Sequence, residues 1–323
     1  MNAIQLRGIR RVFNIKTGTI RRHAKQVVAI DGLSMDVGEG ELFGLLGPNG
    51  AGKTTTIKIL TTLLMPTTGT ATVHGRDVVR EAAGVRREIG FVFGGERGLY
   101  YRLSGRDNLR YFAELYRVPP AEIRRRVDEL LEMVGLTEKA EESVEGYSRG
   151  MKQRLHLART LVHRPRVLFL DEPTIGLDPI GARDIRRIVT ELHRQGTTII
   201  LTTHYLFEAD AMCERIGVID KGRLVALGTP AELKANASDV SVVEVEVFGV
   251  GTDVVDGLRA LDFVDSVVVE QRELRQLLRV QTTLGERAVA PLMAAMGGTQ
   301  VGRVAVREAT LEDAYVKLVG RVE

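Results

Sequence analysis

The segment Gly47-Pro48-Asn49-Gly50-Ala51-Gly52-Lys53-Thr54 constrains this chain more than any other stretch, because it satisfies G-x-x-x-x-G-K-[ST] in full. An apolar run, ELFGLL, precedes it, and a helix-forming run, TTTIKILTTLL, comes after it. Phosphate binding demands that setting of strand, glycine turn and helix. Glycines let the backbone curl so that successive N–H groups point inward, and the helix beyond adds the positive end of its dipole. Lys53 supplies a mobile cation for β- and γ-phosphates, the Thr54 hydroxyl is placed to ligate Mg²⁺, and Thr55 completes the set. The chain is therefore predicted to bind a nucleoside triphosphate within an α/β fold.

A second segment supplies the complement. Residues 167–170 (VLFL) read as a buried strand that delivers Asp171 at its carboxyl end, where it can hold Mg²⁺ through water. Glu172 lies one residue further and faces the attacking water as a general base. A strand ending in two acids is common on its own; beside the glycine loop it points to hydrolysis. The runs at 167–170 and 197–201 are short and continuously apolar, which suits strands buried on both faces of a parallel sheet.

Residues 104–145 break that pattern. Ser104 and Asp107 resemble a capping box that opens a helix through Tyr116, and Pro119-Pro120 interrupts the chain. Ile123, Val127, Leu130, Leu131 and Val134 then recur at helical spacing. A helical subdomain, about 96–150, is thus expected to interrupt the α/β core. Near the start, 3–12 and 31–37 read as strands, and the polar insert 14–26, with Lys16, Arg21, Arg22, His23 and Lys25, reads as a solvated loop. Contact of that insert with acidic headgroups or a partner is the other reading. After Thr229-Pro230 the composition shifts, and Asn236-Ala237-Ser238 looks like a linker. The C-terminal stretch beyond it reads strand, helix, strand, strand, helix, strand, helix, the order of a ferredoxin-like unit plus one helix. The expected domains are 1–235 and 236–323.

Composition narrows the function classes. At roughly 150 residues per domain, 323 residues make about two. Lys+Arg less Asp+Glu is 45 − 42 = +3, too mild for a nucleic-acid-binding stripe. Cys213 is the single cysteine, which excludes an internal disulfide framework and a multi-cysteine metal site. No apolar run approaches the ~20 residues of a membrane helix, and the N-terminus lacks a signal-peptide centre. A cytosolic location is the default expectation, with any membrane role resting on a separate partner.

Two further segments narrow the class. Residues 147–154 read YSRGMKQR, shortly before the Asp171 strand; Thr174-Ile175-Gly176-Leu177-Asp178 comes after Glu172, and Thr202-Thr203-His204 closes the next strand. This order, over roughly residues 3–233, resembles the nucleotide-binding domain of ABC transporters. The C-terminal unit, with Glu312-Asp313-Ala314-Tyr315, is more loosely similar to the small domain appended to ATPase subunits of type-2 ABC exporters, including the daunorubicin-resistance type. The resemblance implies ATP and Mg²⁺ as ligands and a head-to-tail pair of chains that clamps two ATPs.

Residue by residue, the resemblance implies that Ser148 and Gly150, within YSRGM where LSGGQ is usual, meet the γ-phosphate of the opposite subunit. Arg149 either adds charge near the phosphates or faces solvent, with solvent favoured. His204 would be the switch that contacts the γ-phosphate and orients the water of Glu172. Asp178 would act across the dimer interface, and Phe13 would stack on adenine, against the alternative of an ordinary core phenylalanine. The Gln usual after the strand at 89–92 is absent; Glu96 is the candidate substitute at Mg²⁺, the alternative being water. The function implied is coupling of ATP hydrolysis to export of a drug, antibiotic, lipid or polysaccharide through a separate polytopic membrane subunit, at the cytoplasmic membrane face and without nucleic acid. Two alternatives stand beside it: a non-transport ABC ATPase on nucleic acid or ribosomes, and a slowly hydrolysing nucleotide-gated module. Tyr100, Tyr101, Tyr111, Tyr116 and Phe112 mark the expected docking region, although aromatics at helical spacing are more often core.

Overall fold

The first two strands, β1 (Asn2–Thr17) and β2 (His23–Gly38), form an antiparallel ribbon longer than the sequence predicts. In the computed structural model, which describes residues 1–17, 23–93, 98–235, 241–272, 275–307 and 310–320, their pairing runs on through Asn14↔Gln26 to Thr17↔His23. Much of the expected solvated loop is therefore strand, and residues 18–22 of it lie outside the described residues. Apolar alternation cannot reveal such a ribbon, because ladder bonds between backbones ask nothing of side-chain polarity.

β3 (Leu42–Leu46) is buried at every position and leads through the glycine loop into α1 (Lys53–Leu60). β4 (Thr68–Val73) and β5 (Arg76–Asp77) complete a four-stranded sheet in the order β2-β1-β4-β5. α2 (Ala82–Glu88) and β6 (Ile89–Val92) come next. The helical segment begins with α3 (Gly105–Leu115), where the Ser104 hydroxyl accepts the Asp107 N–H and donates to the Asp107 carboxylate at 2.8 Å. α4 (Pro120–Met133) has proline at its first position, where the missing N–H costs nothing, and buries Ile123, Val127, Leu130 and Leu131. α5 (Arg149–Thr160) returns the chain to the sheet.

β7 (Val167–Asp171), α6 (Pro179–Arg194), β8 (Thr198–Thr202), α7 (Leu206–Met212), β9 (Arg215–Asp220) and β10 (Arg223–Gly228) close the first unit. The large sheet runs β10-β9-β3-β8-β7-β6, and β9-β3-β8-β7-β6 pair in parallel. β7 and β8, like β3, are buried throughout, as a parallel sheet covered on both faces requires. Ile4, Leu6, Ile9, Phe43, Leu45, Ile57, Phe169 and Ile200 join both sheets and α1 in one core.

Two compact units result, Met1–Leu227 and Gly228–Glu323. α8 (Pro230–Ala235) packs on α11 (Leu311–Gly320), so the division falls at residue 227, ahead of the Asn236 linker and close to the change of composition at Thr229. The second unit runs β11 (Ser241–Phe248), α9 (Thr252–Arg259), β12 (Val264–Arg272), β13 (Arg275–Thr282), α10 (Val289–Ala295), β14 (Gln300–Arg307), α11. Its sheet is antiparallel in the order β12-β13-β11-β14, the ferredoxin-like arrangement. Val243, Val245 and Val247 of β11 pack with Val255 and Leu258 of α9 and Leu292 of α10. Asp313, at the start of α11, is buried and accepts from Arg307 and from both the hydroxyl and the N–H of Thr310.

Candidate active site

Three adjacent strands deliver the site. Leu45 of β3 and Asp171 of β7 are both register partners of Thr202 in β8, so the glycine loop, the acidic pair and the Thr203-His204 segment leave the sheet side by side at its carboxyl edge. Strand spacing of about 4.8 Å sets their separation, and carboxyl edges of parallel sheets are where such folds hold ligands.

The loop is shaped by contacts that only glycine permits at two points. A Cβ on Gly47 would meet the carbonyl of Ile219 at 2.2 Å. Gly52, the residue before α1, has φ +111° and a Cβ there would meet the Ala29 carbonyl at 2.6 Å. Within the loop the Ala51 N–H bonds the Pro48 carbonyl at 3.1 Å, and the Ala51 carbonyl accepts from Gly222 N–H at 3.0 Å. Lys53 is buried, and its Nζ donates to the carbonyls of Gly47 at 2.6 Å and Pro48 at 3.1 Å. Burial lowers its pKa, and the charges of Glu172 and Asp171 act in the opposite sense. The ammonium thus sits at the inner wall of the loop within the field of both acids.

The Thr54 hydroxyl donates to Asp171 Oδ2 at 2.9 Å, and the Thr202 hydroxyl donates to Asp171 Oδ1 at 2.6 Å. A hydroxyl and a carboxylate in contact are hard oxygen donors, the type Mg²⁺ prefers while it keeps water and phosphate in the rest of its shell. Among the described residues no group of three or more His, Cys, Asp or Glu could hold a metal by itself. The Thr54–Asp171 pair fits an ion held partly by its nucleotide.

Glu172 is a backbone outlier with φ +52°, held there by its N–H on the Thr202 carbonyl at 3.0 Å and the Thr202 hydroxyl at 3.1 Å. A left-handed non-glycine residue is strained, and such strain gathers at functional sites. His204 Nδ1 lies 3.6 Å from Glu172 Oε2, with both side chains partly open to solvent. Sequence reasoning used Thr202 only as part of the Thr202-Thr203-His204 motif, yet its hydroxyl bridges Asp171 and the Glu172 N–H. Its place at the end of an apolar strand, aligned with Asp171, was the available signal.

Ser148 caps α5, its hydroxyl accepting the Met151 N–H at 3.2 Å. Gly150 is open, and a Cβ there would meet only the Gly181 Cα at 3.9 Å and the Ser148 hydroxyl at 4.0 Å. Asp178 caps α6 by accepting the Gly181 N–H at 2.6 Å, so the two helix starts lie together. Arg149 is exposed to solvent, and its guanidinium also donates to the Ile175 carbonyl at 3.2 Å. Gln153 likewise donates to the Pro173 carbonyl at 2.9 Å. The segment after Glu172 is strapped to α5 by both.

Phe13 is half-buried, opposite Val27 in the ribbon, with the Arg11 guanidinium 4.6 Å above its ring. It is no core phenylalanine. Glu96 lies outside the described residues. Tyr100, Tyr101, Tyr111 and Tyr116 are exposed rather than core, and Tyr100 and Tyr111 meet edge-to-face at 4.9 Å. Phe112 is half-buried beneath Arg159, 4.7 Å from its ring centre.

Known proteins resemble this chain in sequence and fold. The family model described as ABC transporter matches residues 30–175. The linearmycin resistance ATP-binding protein LnrL of Bacillus subtilis is 34% identical over 309 residues, 95% of this chain and 98% of that protein. The chain belongs to the ATP-binding proteins of ABC transporters. The daunorubicin resistance ATP-binding protein DrrA3 of Streptomyces coeruleorubidus, 42% identical, aligns over 90% of this ABC ATPase and 91% of its own length. Among solved structures, a dimeric post-hydrolysis state of the ATP-binding cassette MJ0796 bound to ADP and Pi gives a TM-score of 0.61 at 26% identity, over 70% of this chain and 98% of that one. Among the described residues of this ABC ATPase, no helix is long and apolar enough to cross a membrane.

Proposed function

We propose that this ABC ATPase energises export of an antibiotic-like or lipid-like compound through a separate polytopic membrane subunit, which it meets at the cytoplasmic membrane face. The observation that carries the reading is the convergence, on three adjacent strand ends, of Lys53, the Thr54–Asp171 pair, and Glu172 with His204. Phosphate oxygens would be held by the loop N–H groups of residues 47–55 and by the Lys53 ammonium. Mg²⁺, when bound at Thr54 and Asp171, would neutralise charge on the β- and γ-phosphates. Glu172 accepts the proton of the attacking water, and His204, 3.6 Å away, orients that carboxylate and the γ-phosphate. Phe13, half-buried in the ribbon, is assigned to the adenine face.

Ser148 and Gly150, at the start of α5, and Asp178, at the start of α6, lie at helix ends whose cap bonds are satisfied within the chain. The O–H of Ser148 and the open N–H end of α5 at Gly150 suit the phosphates of a second copy, with Asp178 beside them at the interface, which gives a head-to-tail dimer closed by ATP. Loss of the γ-phosphate removes the contacts that favour the closed state, and the dimer reopens. The exposed tyrosines at 100, 101 and 111 are the proposed seat of the membrane partner, since aromatic residues with a polar tip are favoured at interfaces. The linearmycin and daunorubicin resistance relatives support export of a drug-like cargo.

The test is the variant Glu172→Gln with saturating ATP and Mg²⁺, assayed by size-exclusion chromatography with light scattering. Turnover should fall by at least about 10²-fold while the dimer accumulates. A monomer under those conditions, or turnover at the wild-type rate, overturns the reading.

A further inference from the structure

Glu208, in α7, is 2% exposed and has no place in the roles assigned to the nucleotide site. Its Oε2 accepts the Thr203 hydroxyl at 3.0 Å and the Thr174 hydroxyl at 3.1 Å, and its Oε1 accepts from Arg186 Nη1 at 3.0 Å. Each partner belongs to a different piece of the site. Thr203 directly precedes His204, and its hydroxyl also accepts the Tyr205 N–H at 3.0 Å, so the chain is pinned on both sides of that histidine. Thr174 opens the segment that leads from Glu172 to Asp178, and the Ile175 N–H closes back on the Glu172 carbonyl at 3.2 Å. Arg186 lies two turns into α6, the helix that Asp178 caps.

We infer that Glu208 is a positioning residue that fixes the spacing of His204 and Glu172 and ties both to the segment 174–178. The inference rests on the roles proposed for those two residues in hydrolysis. Its chemistry is specific to a carboxylate. Two hydroxyls and a guanidinium all donate, and a carboxylate receives all three as charge-assisted bonds. A glutamine with its oxygen on Arg186 would have to donate its NH₂ to the threonine hydroxyls, which reverses those bonds and removes the charge that strengthens all three. Because the bonds are charge-assisted and buried, they are short of competition from water and hold geometry well. A movement of the segment 174–178 is thereby transmitted to His204 through one side chain. Small misplacements of reacting groups are costly in rate, up to about 10²-fold for about 1 Å.

The experiment measures steady-state ATPase activity, ATP affinity by calorimetry and thermal melting for the full chain with Mg²⁺–ATP. The variants are Glu208→Gln, Thr174→Val, Thr203→Val and the double threonine variant. Glu208→Gln should lower kcat about tenfold with KM for ATP within about twofold, and each threonine variant should lower kcat several-fold. The double variant should lose no more than Glu208→Gln does, because all three act through one carboxylate. Thr→Val keeps shape, so the threonine variants carry the test if Glu208→Gln fails to fold. Wild-type kcat in both threonine variants, or a loss matched by equal losses in ATP affinity and melting temperature, overturns the inference. Glu172→Gln and His204→Ala run alongside. If those two hydrolyse ATP normally, the reading beneath the inference fails; if they are inactive while the Glu208 set is normal, the positioning role alone fails.

Discussion

Replacing Glu172 by glycine should make the protein inactive and more stable than replacing it by alanine. Both variants remove the carboxylate and its 3.6 Å approach to His204, so that interaction cancels from the comparison. What differs is φ +52°. A left-handed conformation costs a residue with a Cβ about 1–2 kcal/mol, and glycine escapes that cost. Against it stands the greater freedom of glycine in the unfolded chain, about 0.4–1 kcal/mol. The net is about 1 kcal/mol in favour of Glu172→Gly, or about 2–4 °C in melting temperature for a body the size of Met1–Leu227. The usual order, alanine above glycine, is reversed. The chain has no tryptophan, so far-UV circular dichroism in urea is the appropriate readout. ATP turnover should be lost equally in both variants. If Glu172→Ala proves as stable as Glu172→Gly, the backbone at this position is not strained and the argument fails.

Lys53→Ala should weaken ATP binding by at least about tenfold in calorimetry, since it removes the only loop side chain with a positive charge. Arg149→Gly should free the Ile175 carbonyl, raising amide hydrogen exchange over residues 175–178 several-fold while costing about 0.5–1 kcal/mol of stability. Burial, and after it the Arg159 guanidinium 2.7 Å away, push His156 down to about 3. A histidine depressed when folded takes up protons on unfolding. Its contribution is therefore complete above about pH 6.5 and falls with pH below that, by about 2 kcal/mol at pH 5. That acid sensitivity should be missing from His156→Gln in pH-dependent melting.

The parts of the site legible in the sequence were those whose chemistry is local. The glycine loop must be contiguous for its N–H groups to converge, and Asp171-Glu172 must end a strand, so both could be read from neighbouring residues. The ribbon pairing of 14–17 with 23–26 was hidden because backbone pairing leaves no mark on polarity. Arg149 is exposed, but its bond to the Ile175 carbonyl was not legible because that partner is a backbone atom on another segment. Thr174, Arg186, Thr203 and Glu208 carry no joint signature either, for they meet only after α6, α7 and β8 have packed. The ferredoxin-like unit was readable because its strands alternate Val with Glu along β11, a period of two that burial on one face imposes.

β6 pairs directly with β7, from Ile89↔Val167 to Val92↔Leu170, although α3, α4 and α5 all lie between them in sequence. The excursion thus departs and lands on neighbouring rails, with its two feet clamped one strand width apart. Its interior, the proposed seat of the membrane partner, can be lengthened, trimmed or recut without moving Asp171 relative to Lys53. Such a fold can change its clientele while leaving its engine untouched.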